Sequence, residues 1–417
     1  MGTPIYSILY LIALAFLLPY EYLKRPQGLR KRWLKERFGL YEGMPKAGRQ
    51  KRVWVHAVSV GEVIASVVLI KKLKERYPSL EVVVSTVTDT GQKVAGERIG
   101  TLAKIVYVPF DLPVAIGNAL DRINPSLFII METELWPAMI GAAHRRNVPV
   151  VLMNGRISEG SFKGYSKLKF FLRSVLNNMD LLCVQNELYA ERLRLLGAAP
   201  QKVKVIGSFK FDTTPSAHLP QWTTLLQGPV IIAGSTHRPE EDLILNVYAQ
   251  LKNDFPKLNI IVAPRHPERF KEVEELIRQK GLDYVKRSEM SDKTSLSSGL
   301  VILLDVIGEL ASTYGAADLA IMGGTFIEHG GQNPLEPAYW EKAIVCGPHM
   351  ENFPFMEEFY IRGGALEADA STLYRRIKEL LASPEKMASM GKMAKELYQK
   401  NAGATERAVA LLERYIK

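Results

Sequence analysis

The sequence contains few of the residues and motifs on which several common protein classes depend. Only two cysteines, Cys183 and Cys346, occur among 417 residues, far apart and without the spacing of metal ligands. We expect both to be buried, small apolar side chains in a reducing compartment. No GxGxxG fingerprint follows the first predicted strand, which counts against a dinucleotide-binding enzyme, and no GxSxG elbow of an α/β-hydrolase occurs.

Charge is absent near the N-terminus, where Ile5 to Tyr20 contains no charged residue. A cleaved signal peptide has its basic residues before the apolar run, whereas here they follow it. The run is shorter than the about 20 residues that cross the hydrocarbon core, so a spanning helix and a helix lying at the interface are both open readings. A buried core helix is a third reading, which the absence of any polar face disfavours.

Basic residues are concentrated immediately after this apolar run. Seven lysines and arginines lie between Lys24 and Arg37, with Glu36 the only acidic residue among them, in a chain of net charge +10. If the helix spans a membrane, this flank is expected to stay in the cytosol. A basic collar beside an anchor suits anionic lipid head groups, so we predict an anionic membrane surface as a partner. Nucleic acid is not expected, because the later basic residues alternate with acids and show no aromatic platform.

From Arg52 onward, short β-rich segments alternate with amphipathic helical segments. Apolar strands such as RVWVHA and EVVVSTV, each followed by a helix, predict parallel sheets covered on both faces. The segment DTTPSAHLPQWTTLLQG interrupts the alternation and is interpreted as a linker. We therefore predict an α/β protein with two doubly wound Rossmann-like domains facing a central cleft. The predicted bounds are 1–24 for an N-terminal anchor helix, 25–212 for the first domain, 213–228 for the linker and 229–417 for the second domain, with the option that the last helices pack back on the first.

Two carboxylate motifs in the first domain follow predicted strands. In VHAVSVGEV a strand turns into a helix, so the N–H groups of Ser59–Gly61 form a ready anion site. Glu62 is the first carboxylate of that helix and, taken alone, is best explained by the helix dipole. In IIMETELWP, Glu132 and Glu134 come just after a strand. They could point to the same side of the cleft, or either could cap the helix that begins at Pro137.

The second domain has candidate ligand-binding residues at the ends of several predicted strands. In APRHPERF, Arg265 has the geometry to hold a phosphate by two N–H groups, and a salt bridge within the domain is its alternative role. Ser235 in GSTHRPEED is a possible phosphate donor, and Gly308 in DVIGEL allows close backbone approach. Asn333–Glu336 fits the N-cap, N1 and N3 positions of a helix start, which explains these residues without a ligand. For His329, phosphate contact and loop packing are both open.

Six motifs occur together in one order along nearly the whole chain. They are HAVSVGE, METELWP, NGRIS, GSFKFD, APRHPERF and MGGTF…HGGQNPLEPA. Together they resemble the 3-deoxy-D-manno-octulosonic acid (Kdo) transferases of lipopolysaccharide assembly. Each motif alone is weak, whereas six in the order of the family are specific. One departure is Ser208, where the family pattern has Asn.

The resemblance implies an inverting glycosyltransferase of the GT-B type that moves Kdo from CMP-Kdo to the lipid A precursor (lipid IVA). The first domain would bind the acceptor and the second the CMP-sugar. Glu62 is implied as the proton acceptor, and Glu132 and Lys210 as stabilisers of the transition state. The residues implied to contact the CMP moiety are Pro264, Arg265, Val306, Ile307, Gly308, Asn333, Pro334, Leu335 and Glu336. Further substrate contacts are expected at Ser59, Gly61, Arg156 and Ser235.

The expected cellular setting is the inner face of the cytoplasmic membrane, with the catalytic domains in the cytosol. No cofactor and no divalent metal are expected, because CMP carries one phosphate that cationic side chains and helix N–H groups can hold. Two rival functions are kept: another GT-B enzyme that uses a nucleoside-diphosphate sugar, and a non-catalytic membrane-anchored scaffold with this fold. Nucleotide preference distinguishes the first rival, and turnover distinguishes the second.

Overall fold

The structure is a computed structural model that describes residues 2–44, 51–213, 218–291 and 294–417. The chain divides into two compact units: Met1–Thr213 together with Ala402–Lys417, and Thr214–Asn401. Of the predicted anchor and linker, Met1 and residues 214–217 lie outside the described residues. The rest of the predicted linker contains a short 3-10 helix, Gln221–Leu225, whose buried Trp222 donates a hydrogen bond to Glu309 of the second unit (2.9 Å).

The first unit is built on a seven-stranded parallel sheet with the order β3-β2-β1-β4-β5-β6-β7. The order reverses between β1 and β4, so the carboxyl ends of these two strands border the crevice where such sheets bind ligands. Its strands are β1 (Arg52–His56), β2 (Glu81–Thr86), β3 (Lys104–Tyr107), β4 (Leu127–Met131), β5 (Val150–Gly155), β6 (Leu181–Val184) and β7 (Val203–Val205).

Helices cover both faces of this sheet because its strands are apolar on both sides. One core lies under α3 and α4, and the other under α5, α6, α8 and α9. The helices of the first unit up to this point are α1 (Gly2–Lys24), α2 (Gln27–Arg37), α3 (Val60–Arg76), α4 (Asp89–Ile99), α5 (Pro113–Ile123), α6 (Pro137–Arg145), α7 (Glu159–Ser166), α8 (Lys169–Asn177) and α9 (Glu187–Leu195).

The second unit repeats this architecture with a parallel sheet of order β10-β11-β9-β8-β12-β13-β14. Its strands are β8 (Val230–Thr236), β9 (Asn259–Pro264), β10 (Tyr284–Lys286), β11 (Val301–Leu303), β12 (Leu319–Met322), β13 (Ala343–Cys346) and β14 (Leu366–Glu367). Its helices are α10 (Glu240–Asp254), α11 (Phe270–Gln279), α12 (Leu310–Thr313), α13 (Leu335–Tyr339), α14 (Met356–Arg362), α15 (Leu373–Leu381) and α16 (Pro384–Asn401).

The last helix, α17 (Ala404–Ile416), returns to the first unit. Its apolar face, which includes Val409 and Leu412, packs into the core beside α3. The Asp212 carboxylate accepts hydrogen bonds from the first N–H groups of this segment, those of Gly403 (2.6 Å) and Thr405 (2.5 Å). The acid of the GSFKFD motif therefore fixes the point at which the chain re-enters the first unit.

The apolar N-terminal segment forms the single helix α1, which is not buried in a core. Among the described residues, Tyr6–Lys24 is the one helix long and apolar enough to cross a membrane, with a mean hydropathy of 1.5. One stripe of α1, including Tyr10 and Leu14, packs against a cluster around Trp33 and Phe110. The opposite stripe is exposed and includes Phe16, at 80% of its surface. The reading of α1 as a buried core helix is therefore wrong. Both cysteines are buried and free, as predicted.

Candidate active site

Glu62 lies at the start of α3, at the switch-point edge of the first sheet. Ser59 is the N-cap, and its hydroxyl oxygen accepts a hydrogen bond from the Glu62 N–H (3.3 Å). In return the Glu62 carboxylate accepts hydrogen bonds from the Val58 N–H (2.8 Å) and from the Ser59 hydroxyl (2.9 Å). This reciprocal arrangement is a variant of the capping box, in which the carboxylate accepts from the N–H of Val58, one residue before the N-cap. These hydrogen bonds orient the carboxylate. They also give Glu62 a structural role, because it stabilises the start of α3.

The environment of Glu62 changes its acidity. The side chain is buried, and burial raises the pKa of Glu62 to about 7. The hydrogen bond from Val58 opposes this shift, whereas the nearby carboxylates of Glu132 and Glu134 add to it. A carboxylate with a pKa near neutral pH exists in both protonation states under working conditions, which suits a general base.

The three carboxylates form one electrostatic group, because Glu132 and Glu134 raise the pKa of Glu62 and Glu132 also raises the pKa of Glu134. Burial also raises the pKa of Glu132, and the nearby guanidinium of Arg156 and ammonium of Lys210 oppose the shift. Burial raises the pKa of Glu134 too, against a hydrogen bond from the Trp136 indole N–H (3.2 Å). The structure thus brings the METELWP carboxylates close to Glu62.

Lys210 and Arg156 supply the positive charge of this group. Burial lowers the pKa of Lys210, and the charge of Arg156 lowers it further, whereas Glu132 raises it. Lys210 lies in a short 3-10 helix, Phe209–Asp212, whose N-cap is Ser208: the Ser208 hydroxyl oxygen accepts from the Lys210 N–H (3.4 Å). Serine and asparagine are about equally good N-caps, which explains why Ser208 can stand where the family pattern has Asn.

Two non-glycine residues at the carboxyl edge of the first sheet have left-handed backbone conformations. Glu132 follows β4 with φ of 52°, and Asn154 near the end of β5 has φ of 57°. Such conformations cost of order 1–3 kcal/mol in L-residues and concentrate at functional sites. The Asn154 side-chain oxygen accepts from the Phe209 N–H (3.1 Å), which links NGRIS to the Lys210 segment. Sequence reasoning missed Asn154, although an Asn-Gly pair at a strand end was a visible signal.

In the second unit, the structure brings the PR and NPLE residues together. Arg265 follows Pro264 at the end of β9, and its N–H donates to the Thr236 carbonyl (3.0 Å). Burial raises the pKa of Glu336, while a hydrogen bond from Asn333 (3.3 Å) and the charge of Arg265 lower it. A guanidinium beside an amide and a half-buried carboxylate provides complementary groups for an anion and for hydroxyls.

The helix predicted to begin at NPLE starts later than expected. The first residue of α13 is Leu335 and its cap residue is Pro334, so the placement of Asn333 at the N-cap was wrong by one residue. The Asn333 side-chain oxygen still accepts from the Leu335 N–H (3.3 Å), the hydrogen bond that a capping asparagine makes, so the displacement of the helix start is a matter of one backbone residue, Pro334 with φ of −80° and ψ of −8°. Glu336 is consequently near the very start of the helix.

The other predicted contact residues lie at sheet edges of the two units. Val306 and Ile307 precede Gly308, and Ile307 is 81% exposed. Gly308 has φ of 94°, a conformation that favours glycine. Ser235 also has positive φ, 56°, near the end of β8. Gly61 lies in the first turn of α3 next to Ser59.

A buried carboxylate that sequence reasoning missed organises the glycine-rich turn of the second unit. Glu240 accepts hydrogen bonds from four backbone N–H groups: through Oε2 from His237 (2.9 Å) and Gly324 (2.7 Å), and through Oε1 from Thr325 (2.9 Å) and Phe326 (3.0 Å). These N–H groups are therefore already occupied by the protein's own anion. The only sequence signal was the acidic pair at the start of a helix in RPEED.

His329 and the neighbouring glycines have internal contacts. The His329 ring packs on His237, with centroids 4.3 Å apart, and Gln332 lies 3.0 Å from the His237 Nε2. Burial, and then the nearby His329, lower the pKa of His237 to about 4. A Cβ at Gly331, which has φ of 82°, would lie 2.4 Å from Met350 Sδ. Loop packing thus explains His329 and the neighbouring glycines without a ligand. Within the described ranges, no group of three or more His, Cys, Asp or Glu residues could hold a metal ion.

Comparison with known proteins identifies the family. A family model described as 3-Deoxy-D-manno-octulosonic-acid transferase (kdotransferase) matches residues 32–213. The 3-deoxy-D-manno-octulosonic acid transferase of Haemophilus influenzae is 34% identical over 393 residues, which cover 92% of this chain and 91% of that protein. The chain belongs to the Kdo transferase family. The Kdo transferase of Bordetella pertussis is a further relative, 32% identical over the full length of both chains (100% of each).

As a Kdo transferase the protein is a glycosyltransferase, which confirms the predicted enzyme class. The predicted GT-B type fold is also confirmed by a solved structure. The UDP-GlcNAc 2-epimerase of Neisseria meningitidis aligns with a TM-score of 0.59, covering 87% of this chain and 100% of that one. At 12% identity this likeness concerns the fold alone.

Proposed function

We propose that this Kdo transferase takes Kdo from CMP-Kdo and attaches it, with inversion, to a hydroxyl group of the lipid A precursor (lipid IVA). The observation that carries the proposal is the environment of Glu62, a buried carboxylate on the switch-point edge whose pKa is raised to about 7. Family membership supports the transferred sugar, and the position of this carboxylate supports a single displacement assisted by a general base.

In the proposed reaction, Glu62 accepts the proton of the attacking hydroxyl group as its oxygen bonds to the anomeric carbon. The bond from that carbon to the CMP phosphate oxygen breaks on the opposite face, and its electron pair leaves with CMP. Attack opposite the leaving group inverts the anomeric centre. Glu132 stabilises the positive charge that develops on the sugar, and Lys210 offsets negative charge in the transition state, as their opposite charges allow.

The second unit is proposed to bind the CMP moiety. Arg265 binds the phosphate, because it is exposed at a strand end and presents a planar pair of N–H donors. Glu336 accepts from the ribose hydroxyls, and its hydrogen bond with Asn333 holds it in position. The remaining proposed CMP contacts on the second unit are Pro264, Val306, Ile307, Gly308, Pro334 and Leu335. Further substrate contacts are proposed at Ser235 on the second unit and at Ser59, Gly61 and Arg156 on the first.

The first unit is proposed to attach to the cytosolic face of the inner membrane through α1. Tyr6 packs on Phe171 with ring centroids 6.3 Å apart, and its hydroxyl group lies within hydrogen-bonding reach of the buried Asp111. These contacts support a helix that lies in the interface against the protein over one that crosses the bilayer alone. The exposed side of α1 and the neighbouring Phe170, which is 96% exposed, would enter the headgroup region.

Mass analysis of the acceptor tests the donor, the acceptor and the number of sugars together. Incubation of tetraacyl lipid A precursor with the protein and CMP-Kdo is expected to add the mass of Kdo, with the same yield in EDTA. Glu62→Gln is expected to lower the rate about 10²–10⁴-fold. Glu97→Gln, on the exposed face of α4, is the control and is expected to be fully active. Binding of UDP but not CMP would contradict the proposed donor, and full activity of Glu62→Gln would contradict the proposed base.

A further inference from the structure

Lys210 lies in the 3-10 helix Phe209–Asp212, which is only 4 residues long. So short a helix has too few internal hydrogen bonds to hold its own position, and contacts with the rest of the first unit must therefore fix it. Both neighbours of Lys210 along the chain, Phe209 and Phe211, are buried. These two aromatic side chains anchor the backbone on either side of the lysine.

The C-terminal helix α17 forms much of the surroundings of this 3-10 helix. The 3-10 helix contacts both α3, which carries Glu62, and α17. Phe209 belongs to the same core cluster as the apolar face of α17. Arg407 of α17 donates a hydrogen bond through Nε to the Ile206 carbonyl (2.9 Å), just ahead of the 3-10 helix. A helix from the far end of the chain thus packs on the segment that carries Lys210.

The start of α17 has no capping side chain of its own. Its N-cap position is Gly403, which has φ of 85° and no side chain to accept a hydrogen bond. The Asp212 carboxylate takes this role: one oxygen accepts from the Gly403 N–H (2.6 Å) and the other from the Thr405 N–H (2.5 Å). A carboxylate at a helix N-terminus also interacts favourably with the helix dipole. Asp212 therefore joins the last residue of the 3-10 helix to the first turn of α17.

A second hydrogen bond fixes the other end of the 3-10 helix. The Phe209 N–H donates to the Asn154 side-chain oxygen (3.1 Å). Lys210 is thereby held between Asn154 on its amino side and Asp212 on its carboxyl side. Asn154 belongs to β5 in the sheet, whereas the hydrogen bonds of Asp212 depend on α17.

We propose that α17 and its cap, Asp212, position Lys210 for catalysis, so that the C-terminal helix supports the catalytic site from behind. Asp212 acts through Lys210, because both oxygens of its carboxylate are occupied by N–H groups of α17. The inference rests on the proposed function, because it assumes that Lys210 stabilises the transition state. Misplacing a catalytic group by about 1 Å costs on the order of 100-fold in rate, so the position of this short helix matters.

Removal of the cap tests the positioning role. Well below the unfolding temperature, Asp212→Ala is expected to lower kcat with tetraacyl lipid A precursor at least about 10-fold. The KM for CMP-Kdo is expected to change less than about 2-fold, because the proposed CMP contacts lie in the second unit. Asp212→Asn keeps one acceptor oxygen and is expected to be intermediate, and it decides the question alone if Asp212→Ala does not fold.

The matched control is Asp180→Ala, at the opposite edge of the same sheet. The Asp180 carboxylate accepts from the Val150 N–H (2.9 Å) at the start of β5, so its loss also removes a hydrogen bond to the backbone. This variant is expected to lower the midpoint of thermal unfolding and to leave kcat unchanged. A folded Asp212 variant with the kcat of the wild type overturns the inference, and so does an equal loss of kcat in Asp180→Ala.

A double-mutant cycle separates positioning from a general loss of stability. Lys210→Met is expected to lower kcat but to leave a residual rate that product mass measures, because Glu62 remains. In that background, Asp212→Asn is expected to lower kcat less than about 2-fold, since the group that Asp212 positions is absent. The same fractional loss in both backgrounds would show that Asp212 acts on the whole unit, and it overturns the inference.

The outcomes also separate this inference from the proposed function. A Lys210→Met variant with full activity overturns the role of Lys210 in the proposed function, and this inference with it. An impaired Lys210→Met variant together with a fully active Asp212→Ala variant overturns the inference alone.

Discussion

At the scale of single residues, Glu62 combines a structural and a chemical role. Its carboxylate accepts hydrogen bonds from Val58 and Ser59 at the cap of α3, and helix caps typically contribute about 1 kcal/mol. The same hydrogen bonds lower its pKa, but burial and the two neighbouring glutamates raise it more, to about 7. The structural explanation of this residue and the catalytic one are therefore compatible, because the cap holds the carboxylate in place and burial makes it basic.

The pKa of Glu62 predicts how transfer depends on pH. The base is active when ionised, so kcat is expected to be low in acid, to rise through about pH 7 and to level off above it. Ser59→Ala removes a hydrogen bond that lowers the pKa of Glu62, so the midpoint is expected to move to higher pH. Rate profiles between pH 5.5 and pH 9 measure the midpoint for the wild-type protein and its shift in Ser59→Ala. A midpoint that moves to lower pH, or that persists in Glu62→Gln, would contradict the assignment.

The backbone of Glu132 predicts a stability difference between two substitutions. Glu132→Gly and Glu132→Ala remove the same carboxylate, but only glycine tolerates φ of 52° without strain. The glycine variant is expected to be about 1 kcal/mol more stable, which corresponds to about 2 °C in the midpoint of thermal unfolding. Glu134 has no positive φ, so the control pair Glu134→Gly and Glu134→Ala should show the opposite order. If the alanine variant is the more stable one at both positions, the backbone at Glu132 is not strained.

At the scale of elements, acidic side chains hold two loops through backbone hydrogen bonds. Asp212 holds the start of α17, and Glu240 holds the turn after β12, each through backbone N–H groups. A carboxylate that accepts several backbone hydrogen bonds makes the loop around it rigid, which places the neighbouring ligand contacts. Glycine allows the turn after β12 to lie against the end of β8, because a Cβ at Gly323 would lie 2.2 Å from the Ser235 carbonyl oxygen.

Loss of the Glu240 carboxylate is expected to loosen this turn and weaken nucleotide binding. Glu240→Ala leaves four buried N–H groups without their acceptor, at a cost of at least about 3 kcal/mol. Hydrogen exchange in peptides covering residues 322–332 is expected to become about 100-fold faster, and CMP affinity to fall. Glu357→Ala, exposed on α14, is the control. Unchanged exchange in Glu240→Ala would show that the turn does not depend on this carboxylate.

At the scale of the whole molecule, charge and apolar surface coincide at the N-terminus. The exposed side of α1 adjoins the basic segment Lys24–Arg37, in a chain of net charge +10. Apolar insertion and attraction to anionic lipids then add, and each cation contributes about 1 kcal/mol near the membrane surface. This arrangement supports attachment of the first unit without requiring a helix that crosses the bilayer.

Membrane binding is predicted to depend both on the apolar side of α1 and on the attraction of basic residues to anionic lipids. In sedimentation with vesicles, the protein is expected to prefer phosphatidylglycerol to phosphatidylcholine, and raising the salt concentration to about 1 M should remove most of the difference. Phe16→Asp, on the exposed side of α1, is expected to weaken binding to both vesicle types. Ile361→Asp, also exposed (76%) but on α14 of the second unit, serves as the control. Tight binding that is insensitive to both salt and Phe16→Asp would indicate a spanning helix instead.

The class of fold and the family could both be predicted from the order of residues along the chain. Apolar strands alternating with helices fix two parallel sheets, because such strands need helices on both faces. The order of six motifs fixed the family, which the relatives confirm. Local signals also predicted the helix that begins at Pro137 and the helix that carries Glu62, although α3 begins at Val60, two residues earlier than Glu62, since caps and prolines act over a few residues.

How residues distant in the chain act together could not be predicted and follows from the three-dimensional packing. The pKa of Glu62 depends on burial and on Glu132 and Glu134, and no local pattern contains that information. The same holds for the grouping of Lys210 with Arg156, for the four N–H groups around Glu240, and for the cap that Asp212 provides for α17. The physical reason is that periodicity and capping are local properties of the chain, whereas desolvation and electrostatic coupling depend on which segments the fold places side by side.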